Sequence, residues 1–132
     1  MKNIDCTLYC ITNSDGMSEE AFLSKVKGAC EGGVTLVQLR EKDRSTLSYY
    51  ELACKVKKIT DAYKIPLIID DRIDVAMAVG CGVHLGAEDM PISVARDIMG
   101  KDAVIGATAK TVEAAIKAEA DGADYIGCGA IY

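Results

Sequence analysis

Three times in this chain a helical pattern ends on glycine and runs straight into a short apolar stretch. The stretches are EGGVTLVQL at 31–39, AVGCGVHLG at 78–86 and ADGADYIGCG at 120–129. A glycine past the last helical turn lets the backbone leave the helix without a steric penalty. An apolar run that does not alternate with polar residues is a strand covered on both faces. Helix followed by two-sided strand, reused along one chain, describes a parallel sheet clothed in helices.

The rest of the sequence fills in the order. Cys6 to Ile11 predicts the first strand. A helix opens at Ser18-Glu19-Glu20, carries Phe22, Val26 and Ala29 on one face and stops at Gly32-Gly33. Val34 to Leu39 is the second strand, and Leu47 to Tyr63 is helical in period. Leu67 to Ile69 is the third strand, followed by a short helix over 72–79 closed by Gly80. Val83 to Leu85 is the fourth strand, and Pro91 to Met99 a helix ended by Gly100. Ala103 to Gly106 is the fifth strand. Thr111 to Asp121 is a helix with Thr111 as N-cap and Gly122 at its end, and Ala123 to Gly127 is the sixth strand.

Two architectures fit βαβαβαβαβαβ: an open doubly wound sheet and a (β/α)8 barrel of TIM type. Polar residues follow the strands: Gln38, Arg40 and Lys42, then Asp70 and Asp71, then Glu88 and Asp89, then Thr108. In a barrel those ends converge on one face. No G-x-G-x-x-G follows the first strand, which counts against a dinucleotide-binding sheet. The barrel is therefore favoured. A barrel needs eight strands, and the pattern supplies six strands and five helices before Tyr132. The expectation is one partial barrel domain over 1–132, with two sheet edges to be covered by something else, self-association included.

Composition narrows the class. The chain has 132 residues, half of them apolar, so one domain can build a sizeable core. A net charge of −5 disfavours a nucleic-acid surface, and an anionic substrate would need local cations or a metal. No apolar stretch is long enough to span a membrane, and Asp5 interrupts anything resembling a signal peptide. The six cysteines form no C-x-x-C and read as small buried hydrophobes in a cytoplasmic protein rather than as zinc ligands.

Three groups of residues can carry chemistry. In an extended QLREK run, Gln38, Arg40 and Lys42 share one side. An amide, a guanidinium fork and an ammonium together suit a polyphosphate, although a solvated loop with Arg40–Glu ion pairs fits the same letters. Asp71 and Asp89, at the ends of neighbouring strands, can share a magnesium ion with waters and substrate phosphates. Each can equally cap the helix that follows it. Thr108 offers a hydroxyl at a strand end, for a phosphate oxygen or for a turn. His84, inside GVHLG, reads as a hydrogen-bonded core histidine, and Met77, Met90 and Met99 as core or wall residues.

The blocks LYCITN, TLVQLREKD, PLIIDDRIDVAMAVGCGVHLGAEDMP, IGATAKT and GADYIGCGAIY resemble the thiamine-phosphate synthase family over essentially the whole chain. The resemblance implies a (β/α)8 barrel that uses magnesium. It would join a hydroxymethylpyrimidine pyrophosphate to a thiazole phosphate and release pyrophosphate. By matching position, Gln38, Arg40 and Lys42 would hold the pyrimidine pyrophosphate, and Asp71 and Asp89 the magnesium. Thr108 stands where the family usually has Ser, and Asp70, beside the pyrimidine, where it usually has Asn. Ionised Asp only accepts hydrogen bonds, whereas Asn also donates. Ala130 stands where the family usually has Pro. The family's Thr-rich segment, its following Lys and its thiazole-phosphate site fall beyond residue 132. Two alternatives stay open: a non-catalytic phosphate-binding fragment, and a thiazole tautomerase-like relative.

Overall fold

The computed structural model describes residues 4–129; Ala130 and the chain's last two residues lie outside them. Six strands alternate with five helices: β1 (Tyr9–Ile11), α1 (Glu19–Glu31), β2 (Leu36–Leu39), α2 (Thr46–Ala62), β3 (Leu67–Asp70), α3 (Ile73–Val79), β4 (Gly82–Leu85), α4 (Ile92–Met99), β5 (Ile105–Thr108), α5 (Val112–Asp121) and β6 (Tyr125–Gly127).

All pairings are parallel, and the strand order is β1-β2-β3-β4-β5-β6. This order decides between the two architectures. A doubly wound sheet reverses direction at a switch point, whereas a barrel adds each strand beside the last. The sheet is also strongly curved. Laid flat, six strands would hold β1 and β6 about 24 Å apart. Yet the Tyr9 and Tyr125 rings, one from each of those strands, meet edge to face with centroids 5.6 Å apart. The fold is of TIM-barrel type. Among the described residues β1 and β6 each have one strand neighbour.

The two strand faces have different partners. Val37, Leu39, Leu67, Ile69, Val83, Leu85 and Ile105 join Phe22, Val26, Leu52, Val56 and Val75 of the helices in one apolar core. Each fully buried side chain of this size is worth about 1.5–3 kcal/mol. The alternate residues, among them Gln38, Asp70, His84, Gly106 and Thr108, line the concave side. A Cβ on Gly106 would fall 2.0 Å from Cζ of Tyr125, so the glycine is what admits that ring.

Side-chain caps open three helices: Ser18 accepts from Ala21 N–H, Ser45 from Ser48 N–H and Thr111 from Ala114 N–H. Because of Ser45, α2 starts at Thr46 rather than Leu47. β1 is shorter than the six residues its sequence predicts, starting at Tyr9. Met77 and Met90 are exposed rather than core, while Met99 packs against the core. Cys30 is buried as expected, but Cys6 and Cys128 are exposed. Among the described residues no helix is long and apolar enough to cross a membrane.

Candidate functional site

The carboxyl ends of the strands open into a cavity of about 810 Å³. Gln38, Arg40, Lys42, Asp70, Asp71, Asp89 and Thr108 all line it, together with His84 and Lys110. The site is pinned from below by a residue the sequence reading missed. Tyr49, buried on α2, donates its hydroxyl toward Leu39 O at 2.8 Å and Asp70 O at 3.0 Å. It thereby ties the end of β2 to the end of β3, where Arg40 and Asp71 begin. An aromatic on the apolar face of a helix looks like packing alone in a sequence; only the fold reveals its hydroxyl's partners.

The QLREK run does alternate. Glu41 turns away and accepts from Ser14 at 2.8 Å and Arg44 at 2.5 Å. Arg40 and Lys42 face the acids instead. Lys42 Nζ lies 2.5 Å from Asp71 Oδ2 and 2.9 Å from Asp70 Oδ2, and Arg40 Nε lies 3.8 Å from the same Asp70 oxygen. Asp70 Oδ2 is thus fully buried, with the Lys42 ammonium as its near cation and Arg40 further off.

Neither acid caps a helix. Arg72 occupies the cap position of α3 and Pro91 that of α4, both without a side-chain cap bond. Asp89 instead folds back to accept from Gly86 N–H at 2.7 Å. Asp71 adopts φ 71°, a left-handed conformation that costs a non-glycine residue energy and that Asp tolerates better than most. The strained backbone aims its carboxylate at Lys42, and the carboxyl groups of Asp71 and Asp89 lie within hydrogen-bond reach.

The electrostatics are those of too many acids for the cations present. Burial raises Asp70 above the usual carboxylate range against the pull of Lys42. Burial also raises Asp89, with Asp71 adding to it. Asp71 ends below its ordinary value: burial opposes its charge, but the hydrogen bond from Lys42, the hydrogen bond with Asp89 and the Lys42 charge together outweigh it. Burial opposes the Lys42 charge too, and Asp71 and Asp70 more than restore it. Two neighbouring carboxyls, one pushed down and the other up, favour a proton or a cation between them. That arrangement fits a hard divalent ion. Among the described residues no group of three or more His, Cys, Asp or Glu stands at metal spacing. Any such ion would rest on two carboxylates and complete its shell with water and phosphate, which suits magnesium.

Behind the acids runs a second network that the sequence did not reveal. Gln38 Nε2 donates to Tyr9 OH at 2.9 Å, and Tyr9 OH bonds Tyr125 OH. Tyr125 OH lies 3.0 Å from His84 Nδ1, and His84 Nε2 lies 2.9 Å from Thr108 Oγ1. His84 is buried and hydrogen-bonded, as its place in an apolar strand predicts, and burial lowers its pKa.

A curved, singly wound parallel sheet with acids, cations and a hydroxyl gathered at the carboxyl ends of its strands defines the TIM-barrel class of fold, with a candidate site on its carboxyl face. The family model described as Thiamine monophosphate synthase matches residues 8–132, and the chain belongs to that family. It is 53% identical over 133 residues to the thiamine-phosphate synthase of Clostridium acetobutylicum, covering 100% of this chain and 63% of that one. It is 56% identical over 126 residues to thiamine-phosphate synthase 2 of Streptococcus pneumoniae, covering 95% and 60% respectively. Among solved structures it is similar to a thiamine phosphate pyrophosphorylase from Pyrococcus furiosus, with TM-score 0.87, 41% identity and coverage of 95% of this chain and 60% of that one. The chain thus spans about three fifths of the length of the curated relatives it matches.

Proposed function

We propose that this chain is the part of a magnesium-dependent thiamine-phosphate synthase that binds the pyrimidine pyrophosphate. One observation carries this reading: all seven residues assigned by position line a single cavity at the barrel's carboxyl face. Arg40 and Lys42 bind the diphosphate, Arg40 through a fork of donors and Lys42 as a compact charge. Asp70 accepts from the amino group of the pyrimidine, and Gln38 borders the same ring. Thr108 bonds a phosphate oxygen. A magnesium ion held by Asp71 and Asp89 would supply further neutralisation of the leaving diphosphate.

No side chain need act as a nucleophile. The bond between the pyrimidine methylene and the diphosphate oxygen breaks, and the thiazole nitrogen forms the new bond to that carbon. The electron-rich pyrimidine steadies the positive charge in between. The protein's work is then positioning and electrostatic stabilisation of the leaving group. Both substrates are small water-soluble phosphate esters, in keeping with a cytoplasmic enzyme. The single-neighbour edges of β1 and β6 are where further strands, or a second copy, would complete the barrel.

The test is incubation of the chain with both substrates, with and without Mg²⁺, measuring thiamine phosphate and pyrophosphate. Magnesium-dependent product is expected. Thermal stabilisation by pyrophosphate without turnover would instead mark a binding unit that lacks the thiazole half. Absence of both product and stabilisation would overturn the proposal.

A further inference from the structure

We propose that His84 is a positioning residue that makes Thr108 a hydrogen-bond donor to the cavity, with its direction handed on from Gln38 through Tyr9 and Tyr125. The inference follows from counting protons along one chain of contacts. Gln38 Nε2–H donates to Tyr9 OH. That oxygen, having accepted, sends its own proton to its other partner, Tyr125 OH. Tyr125 in turn sends its proton to His84 Nδ1. Both phenols keep their protons at neutral pH, because burial raises each above its already high ordinary value. A neutral imidazole that accepts at Nδ1 carries its proton at Nε2. Nε2–H then donates to Thr108 Oγ1 at 2.9 Å. One lone pair of Thr108 is thereby used, and its hydroxyl proton is left to point elsewhere. Thr108 is exposed where His84 is buried, so the open direction is the cavity.

Every link is directional, so the chain has two states and no mixture. With the Gln38 amide reversed, each bond reverses. His84 would then carry Nδ1–H, Thr108 would donate inward, and its lone pairs would face the ligand. The first state presents a donor and selects a ligand that accepts, such as a phosphate oxygen. The second would select a donor. Four strands contribute to this choice besides the one that carries Thr108: β1 with Tyr9, β2 with Gln38, β4 with His84 and β6 with Tyr125. The network rests on the proposed function only in naming phosphate as the acceptor.

His84 is the single histidine of the chain, so its ring nitrogens can be read without assignment ambiguity. The experiment is a two-bond ¹H–¹⁵N correlation spectrum of the whole chain carrying ¹⁵N-histidine, without ligand at neutral pH. The expected pattern is the Nε2–H tautomer; a predominant Nδ1–H tautomer overturns the proposal. Gln38→Glu replaces the donor with a group that only accepts, and it is expected to switch His84 to Nδ1–H. Tyr125→Phe cuts the chain and is expected to give a mixture of tautomers. If either folded variant keeps the wild-type tautomer, Gln38 does not set the direction and the proposal falls. Titration with inorganic pyrophosphate supplies the second readout. Thr108→Val should weaken binding roughly ten- to a hundredfold, the range for a hydrogen bond to a charged group. A pure Nε2–H tautomer in a chain that never binds pyrophosphate would leave the relay standing and remove the proposed function. Pyrophosphate binding with an Nδ1–H imidazole would do the reverse.

Discussion

The two ends of the barrel each hold a half-buried cluster of charges, and the clusters are built on opposite principles. At the amino ends of β5 and β6, Arg96 donates to Gly122 O at 2.6 Å, Ala103 O at 2.6 Å, Gly100 O at 3.0 Å and Asp124 Oδ2 at 2.9 Å. Asp124 in turn accepts from Ile105 N–H. The guanidinium fork is spent on backbone carbonyls that the ends of α4 and α5 would leave unpaired. At the carboxyl ends, Lys42 faces Asp70 and Asp71, and Asp71 faces Asp89. The buried Oδ2 of Asp70 depends on the same Lys42 ammonium that Asp71 uses. The lower cluster is finished by the chain itself. The upper one has room for a cation and an anion that the chain does not supply. Satisfied charge is structural here, and unsatisfied charge marks the site.

The largest expected effect lies in the lower cluster. Arg96→Met strands Asp124 and several carbonyls together, and a broken buried pair costs about 3–5 kcal/mol. A urea denaturation series should show that loss, and a loss below about 1 kcal/mol would remove the structural half of the contrast. Next comes Asp71→Asn, which tolerates the positive φ and removes only the charge. Its stability should change by less than about 1 kcal/mol. Magnesium-dependent turnover should fall about a hundredfold or more, as for loss of a group that neutralises charge in the transition state. The opposite result, lost stability with retained metal dependence, would make Asp71 a structural residue.

The contrast also explains what could be read from letters. The alternation of strands and helices was legible because glycine stops and unbroken apolar runs act locally. The polar residues at strand ends were legible because a barrel places every such end on one face. The capping alternative for Asp71 and Asp89 does not hold, for a local reason that letters do not carry. The backbone at Asp71 turns left-handed, and Asp89 bonds backward to Gly86 rather than forward into α4. The Tyr9–Tyr125 contact joins residues 116 apart in sequence, and it exists only because the sheet curves. Arg96 and Tyr49 are ordinary helix residues in period; their roles depend on which carbonyls the neighbouring elements deliver.

Two smaller effects sharpen the upper cluster. Lys42 sits where a divalent ion would approach Asp71, so in the free protein the ammonium competes for that carboxylate. Lys42→Met should tighten Mg²⁺ binding about tenfold without pyrophosphate, a change of about 1.4 kcal/mol. It should weaken pyrophosphate binding at the same time. Calorimetric titration of each ligand separates the two, and unchanged metal affinity would show that Lys42 does not shield the acids.

Asp70→Asn is the subtlest. Burial raises the folded-state pKa of Asp70 above its unfolded value. A carboxyl shifted that way binds its proton more tightly when folded. Its contribution is favourable while it stays protonated, below the unfolded pKa, and is lost as pH rises through the folded one. At neutral pH the ionised group is therefore a cost, which Lys42 and Arg40 only partly offset. Asn copies the protonated shape without the charge, and Lys42 keeps Asp71 as its partner. The variant should be slightly more stable than the parent at pH 7, with the gain fading as pH falls into the acid range. Thermal unfolding across pH 3–8 measures this. A gain that grows on acidification would mean that Asp70 is held as a stabilised anion, and that the upper cluster is as self-sufficient as the lower.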